Sequence, residues 1–291
     1  MNSPPPALLP TPEEPEAASG ALAVLLLAVV QGLAEFLPIS SSGHLVLGRS
    51  LLGLQEAGLT LDVALHVGTL AAVTYAYRSD VRKLFTDVLA GRLGLAIWLF
   101  VATVPVGVVG LLFKDRIEVA ASTVAAAGGG LLLTSVLLLL GERARSRNDA
   151  AATSGSPETP EVEEDSEALP GLRFAVLIGL AQCLALWPGV SRSGTTIAAG
   201  LMLGLGSSSA ARLSFLMSLP AVAGAAVVSL PDAIQEGVAG VGIYWVLAAV
   251  VLSALVGILA LRLLLLVLHR GAFRWFALYT LVLGVLALSI S

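Results

Sequence analysis

The chain has 291 residues, of which 57% are hydrophobic and 12% charged, with a net charge of −4 and a mean hydropathy of +0.92. A soluble domain carries about a quarter charged residues, so this composition excludes an ordinary water-soluble globule and predicts a polytopic membrane protein. It also excludes a basic nucleic-acid surface, and the single cysteine, Cys183, excludes an internal disulfide framework or a cysteine metal cluster.

Residues 1–18 are rich in Pro, Glu and Ala and are expected to form a flexible tail. No signal peptide is expected, because the N-terminus lacks a basic leading region. The stretch around 20–50 holds two short apolar arms joined by a Pro/Ser/Gly turn. Apolar runs follow at roughly 60–77, 95–113 and 119–140, each near the length that crosses a hydrocarbon core. Residues 141–170 are Arg-rich, then Ser/Pro/acid-rich, and are expected to be a disordered cytoplasmic loop. A second pair of short arms occupies roughly 171–206, and apolar runs return at roughly 213–230, 243–268 and 275–290. Cys183 in the second pair reads as a small packing residue.

The expected architecture is therefore all-α: six transmembrane helices plus two re-entrant helix–turn–helix hairpins. Residues 19–291 form one membrane domain, with repeats over 19–140 and 171–291. Basic residues concentrate in alternate loops, at Arg78, Arg82, Lys83 and Arg92, at Arg143, Arg145, Arg147 and Arg173, and at Arg270 and Arg274. If those loops are cytoplasmic, the first hairpin enters from outside and the second from inside, which is an inverted-topology repeat. Arg212, at the start of a span, reads as an interfacial anchor with its charge among headgroups.

Ionisable residues inside membrane-like sequence need a reason, and they gather at the two turns. In QGLAEFLPISSSGHLVL, Gln31 and Glu35 are four residues apart and share a helix face that ends near Pro38. Ser40, Ser41 and Ser42 can cap the next helix, and His44 lies in its first turn. Carboxylate oxygen suits Mg²⁺ or Ca²⁺, and the imidazole can move protons near neutral pH. The competing reading makes Glu35 a protonated, hydrogen-bonded membrane acid and His44 a packing group. In WPGVSRSGTTI, Pro188 and Gly189 break the chain, and Ser191, Arg192, Ser193 and Gly194 open a helix. Backbone N–H groups there favour an anion, and Arg192 offers a fork matched to phosphate. Its rival role is a structural ion pair with Glu35. Asp62 and His66, four apart, are expected to support the site from the next helix.

Both motifs resemble the undecaprenyl-diphosphate phosphatase family of bacteria, the bacitracin-resistance type. Its Glu/Gln-x-x-x-Glu and Pro-x-Ser-Ser-x-Gly-His elements correspond to Gln31–Glu35 and Pro38–His44, and its Pro-Gly-x-Ser-Arg-Ser-x-x-Thr element to Pro188–Thr196. The resemblance implies hydrolysis of undecaprenyl diphosphate to the monophosphate, which recycles the lipid carrier for cell-wall synthesis. It implies dependence on a divalent cation, Glu35 as metal-associated carboxylate with Gln31 at the variable position, and Ser41 and His44 as nucleophile and acid/base. Arg192, Ser191 and Thr196 are implied to bind phosphate. The implied setting is the bacterial cell membrane with a site open to the extracytoplasmic face; a homodimer is one option for the assembly. Gln31, the acidic central loop and the Pro/Glu tail depart from the family pattern. Inverted repeats with broken helices also describe secondary transporters, so movement of a polyprenyl phosphate lipid is the alternative function.

Overall fold

The computed structural model describes residues 14–54, 58–154, 169–236, 242–268 and 273–291. Among these the regular structure is entirely helical: α1 (Glu14–Ala34), α2 (Ser41–Leu52), α3 (Gly58–Ala76), α4 (Arg78–Leu89), α5 (Gly94–Leu112), α6 (Lys114–Ala121), α7 (Val124–Ser154), α8 (Leu172–Gln182), α9 (Arg192–Met202), α10 (Ser207–Glu236), α11 (Ile243–Leu268) and α12 (Phe273–Ser289). A short 3₁₀ turn, Cys183–Leu186, follows α8.

Among the described residues, four helical stretches are long and apolar enough to cross a membrane: Gly94–Leu112, Val124–Ala150, Ser207–Ser229 and Ile243–Leu266. Apolar helices at Gly20–Ala34, Thr60–Ala76, Leu172–Leu186 and Phe273–Ser289 are shorter. Large apolar side chains such as Leu255, Leu259, Leu266 and Leu286 lie on the outside. Water would penalise such a surface; hydrocarbon does not. The chain is a multi-pass membrane protein.

The interior is packed from side chains on opposite halves of the sequence. Phe36, just past α1, meets Phe215 of α10 edge-on at 5.9 Å. Helix α11 lies against α1 and α3, α5 against α8, α10 against α3 and α9, and α7 against both α9 and α12. The halves are thus interleaved, and each buried apolar cluster draws on both.

Two expectations about polar segments change. Residues 14–18 of the expected tail are helical, as the first turns of α1, and residues 1–13 lie outside the described residues. The segment expected to be disordered from 141 is helical as far as Ser154, while 155–168 lie outside the described residues. Side-chain spacing explains the extension: Arg145 reaches back to Glu142 at 2.8 Å and forward to Asp149 at 2.6 Å, pairs at i+3 and i+4 that support an exposed helix. Asn148 also donates to the Leu201 carbonyl at 3.0 Å, tying this extension to the end of α9. Arg212, expected as an interfacial anchor, pairs its guanidinium with Asp80 of α4 at 2.5 Å.

The turn after α8 is seated on α7 by an absence of side chains. Gly189 has φ of +85°, in the left-handed region that favours glycine. A Cβ on Gly130 of α7 would collide with the Pro188 carbonyl oxygen, and one on Gly189 with the Ala127 carbonyl oxygen. Gly129, the residue before Gly130, faces open space. Gly130→Ala should therefore destabilise the protein by about 1–3 kcal/mol through overpacking, whereas Gly129→Ala should be neutral or mildly stabilising in a helix. Thermal unfolding of the two variants in detergent checks this, and equal melting temperatures would refute the seating.

Candidate functional site

The first turn begins where α1 stops. Pro38 cannot continue the helical hydrogen bonding, and residues 35–39 form turns before α2 starts at Ser41. Ser40 is the N-cap, its hydroxyl accepting from the Gly43 N–H at 3.2 Å. Its φ of +71° makes it the one non-glycine residue with positive φ among those described. Such backbone costs about 1–3 kcal/mol and persists where the surroundings impose it.

The second turn is built alike. Ser191 caps α9 by accepting from the Gly194 N–H at 3.1 Å. Thr134 of α7 clamps the turn from the side, donating to the Gly189 carbonyl at 2.8 Å and accepting from the Ser191 N–H at 2.9 Å. Sequence reasoning did not single out Thr134, and no local signal marks it, because its partners lie 55 and 57 residues away.

The two turns touch. A Cβ on Gly43 would stand 3.0 Å from the Gly189 Cα. The Gly189 N–H donates to Ser42 Oγ at 3.3 Å, and Ser193 Oγ donates to the Leu37 carbonyl at 3.4 Å. Between them the Arg192 guanidinium meets Glu35 Oε1 at 2.5 Å, with the two side chains 15% and 7% exposed. Glu35 Oε2 accepts from Gln31 Nε2 at 3.1 Å and from Ser41 Oγ at 2.8 Å. The donors around this buried carboxylate offset the cost of taking its charge out of water. The ion pair weighed as the rival role of Arg192 exists, and it lies in the wall of a cavity.

That cavity, of about 300 Å³, is lined by Glu35, Ser41, Ser42, Asp62, His66, Ser191 and Arg192 on its polar side. Val106 of α5 and Ala221, Val222, Ala225 and Ala226 of α10 form an apolar side. Asp62 pairs with Arg49 of α2 at 2.6 Å. His66 Nδ1 lies 2.7 Å from the Asp62 carbonyl. A carbonyl only accepts, so Nδ1 carries the proton and Nε2 faces Glu35 Oε2, 3.6 Å away.

Other expected site residues serve the turns rather than line the cavity. Ser40 caps α2, and Ser193 and Gly194 spend their donors within the turn contacts given above. Thr196 donates to the Arg192 carbonyl at 2.8 Å and shares a 2.6 Å hydrogen bond with Ser214 of α10. His44 also lies outside the lining. Its Nδ1 donates to the Ser40 carbonyl at 2.7 Å, and its Nε2 meets the Tyr279 hydroxyl at 2.7 Å, with the rings stacked. The spacing that placed His44 beside the turn did not fix the direction of its ring; the Ser41 hydroxyl is directed to Glu35 instead.

The oxygen donors can be tested against a divalent cation. Gln31 Oε1 is buried and has no hydrogen-bond partner among the described residues, beside the Glu35 carboxylate that its own Nε2 contacts. Among the described residues no group of three His, Cys, Asp or Glu side chains converges as a ready-made cage. One carboxylate and one amide oxygen fit a hard cation that takes its remaining ligands from water and substrate phosphate, as Mg²⁺ commonly does.

Comparison with known proteins agrees with the motifs on which these turns rest. The family model described as bacitracin resistance protein BacA matches residues 24–286. A protein of Mycolicibacterium gilvum named undecaprenyl-diphosphatase is 36% identical over 275 residues, covering 90% of this chain and 94% of its own. Proteins of the same name from Halothermothrix orenii and Rubrobacter xylanophilus are 37% and 38% identical, covering 90% and 91% of this chain and 95% and 96% of theirs. The chain belongs to the bacitracin resistance protein BacA family.

Proposed function

We propose that this chain hydrolyses undecaprenyl diphosphate to undecaprenyl phosphate and inorganic phosphate, returning the lipid carrier to cell-wall synthesis. The observation that carries this reading is the convergence of Arg192, Glu35 and Ser41 on one cavity with an apolar wall. A diphosphate head needs the first three, and a polyprenyl tail needs the last. The relatives named undecaprenyl-diphosphatase, matched over nearly their whole length, support it.

The architecture proposed with it is six spans and two re-entrant hairpins in an inverted repeat. Helices α1, α2, α3, α5 and α7 would correspond to α8, α9, α10, α11 and α12. Four contacts support that correspondence: α5 meets α8 as α11 meets α1, and the pairs α3–α10 and α7–α12 each join a helix to its counterpart. The cavity lies among the first turns of α3 and the later turns of α10, at Asp62, His66 and Ser229. That end is away from the basic loops at Arg78–Arg92 and Arg143–Arg147, which supports an extracytoplasmic opening in the cell membrane.

In this mechanism the Arg192 fork exchanges Glu35 for the terminal phosphate and stabilises its charge in the transition state. Ser41 Oγ attacks the terminal phosphorus while its proton passes to Glu35 Oε2, its existing partner. The bond from phosphorus to the bridging oxygen breaks, and the lipid monophosphate leaves as an anion. Water then cleaves the phosphoserine, and Glu35 returns the proton to Oγ. His66 Nε2 offers a second proton acceptor beside Glu35, and His44, held by Tyr279, orients α2. A divalent cation held by Glu35 and Gln31 would neutralise charge on phosphate oxygens.

Arg192→Ala should lower turnover by about 10²–10³-fold. The neutral double variant Glu35→Gln/Arg192→Gln separates the two roles of the pair: it removes both charges together, so it should fold with near-normal melting temperature yet remain inactive. Substantial phosphate release by the double variant would sink the phosphate-binding role. Ser41→Ala should abolish a trappable ³²P-labelled phospho-enzyme; full activity in that variant would shift the attack to water. Phosphate release by purified protein in detergent should fall on adding EDTA and return with Mg²⁺ or Ca²⁺, and absence of any release would favour lipid transport.

A further inference from the structure

Gln182 ends α8 and is 1% exposed, yet both Nε2 and Oε1 are buried without a hydrogen-bond partner among the described residues. A leucine would fill the same volume without two unmade hydrogen bonds, and native interiors keep few such groups. The residue lines the same cavity as Glu35, Ser41 and Arg192. Its counterpart in the first half explains the asymmetry. Gln31 has Glu35 four residues on to receive its N–H, whereas four residues after Gln182 stands Leu186. The second glutamine therefore lacks the internal carboxylate that occupies the first.

The amide calls for an acceptor at Nε2 and a donor at Oε1. A cation would satisfy only Oε1, and a bare carboxylate only Nε2. A phosphate that carries one proton offers both an acceptor oxygen and a P–OH donor.

We propose that Gln182 is a direct phosphate ligand of the diphosphate head, with Nε2–H donating to a non-bridging oxygen and Oε1 accepting from the protonated oxygen. Arg192 then supplies charge and Gln182 supplies direction, recognising a partly protonated phosphate rather than any anion. This assignment rests on the diphosphatase reading of the cavity.

The test uses the full chain in detergent, comparing wild type with Gln182→Leu and with inorganic diphosphate as probe. Without ligand, Gln182→Leu should melt at or above the wild-type temperature, because it removes an unsatisfied buried amide. Its inhibition constant for inorganic diphosphate and its KM for lipid diphosphate should rise about tenfold, the loss of one well-placed hydrogen bond, with a smaller change in kcat. Gln182→Glu keeps the size, adds a repelling charge and should bind more weakly still. An active Gln182→Leu with unchanged inhibition constant and KM overturns the assignment while leaving the diphosphatase reading intact. A large drop in melting temperature with unchanged diphosphate affinity also overturns it, by making the amide structural. Wild-type protein that releases no phosphate overturns both.

Discussion

The ion pair between Glu35 and Arg192 is the constraint that organises this molecule. Its partners lie 157 residues apart in the chain, and each stands at a break in a helix that membrane-like sequence would otherwise continue. A charge taken from water costs several kcal/mol unless its partner and its remaining hydrogen bonds are supplied with good geometry. The structure supplies them: Gln31 and Ser41 on one carboxylate oxygen, the guanidinium on the other. The two capped helix starts, the positive φ at Ser40 and the glycines at the contact all serve to bring these side chains to one point.

Close approach of backbones does what larger side chains cannot. The line of contact from Gly43 through Gly189 to Gly130 joins the first turn, the second turn and α7 with no room for a Cβ at the last two. Thr134 then takes up polar backbone groups that the tight turn exposes, as a dry interior requires. Ser193 and Thr196, expected to bind phosphate, also make hydrogen bonds within this scaffold. The polar residues that line the cavity form a short list.

The positions of the long apolar runs were legible in the sequence, some to within a few residues, as when roughly 60–77 became Gly58–Ala76, while roughly 119–140 and 213–230 became the longer Val124–Ser154 and Ser207–Glu236. Length and hydropathy dominate there, and the bilayer leaves few alternatives. The helix past residue 141 was missed because composition outweighed pairing, although the spacing of Glu142, Arg145 and Asp149 was on view. At the site, the four-residue spacing of Gln31 and Glu35 correctly put both on one face. Spacing gave His44 and His66 a neighbourhood but no ring direction. That direction depends on Tyr279 for one and the Asp62 carbonyl for the other, and Tyr279 is 235 residues from its partner. Thr134 was illegible for the same reason.

The interleaving of the halves bears on how the protein is made. When translation has produced the first turn, the guanidinium that Glu35 needs has yet to be synthesised. At about 5–20 residues per second, the 157 residues between them take roughly eight to thirty seconds. During that interval the nascent first half holds an acidic break with no cation opposite it and no second turn beneath Gly43. Each newly inserted molecule therefore passes through a stage in which its most polar segment must remain near the water or be held by the insertion machinery.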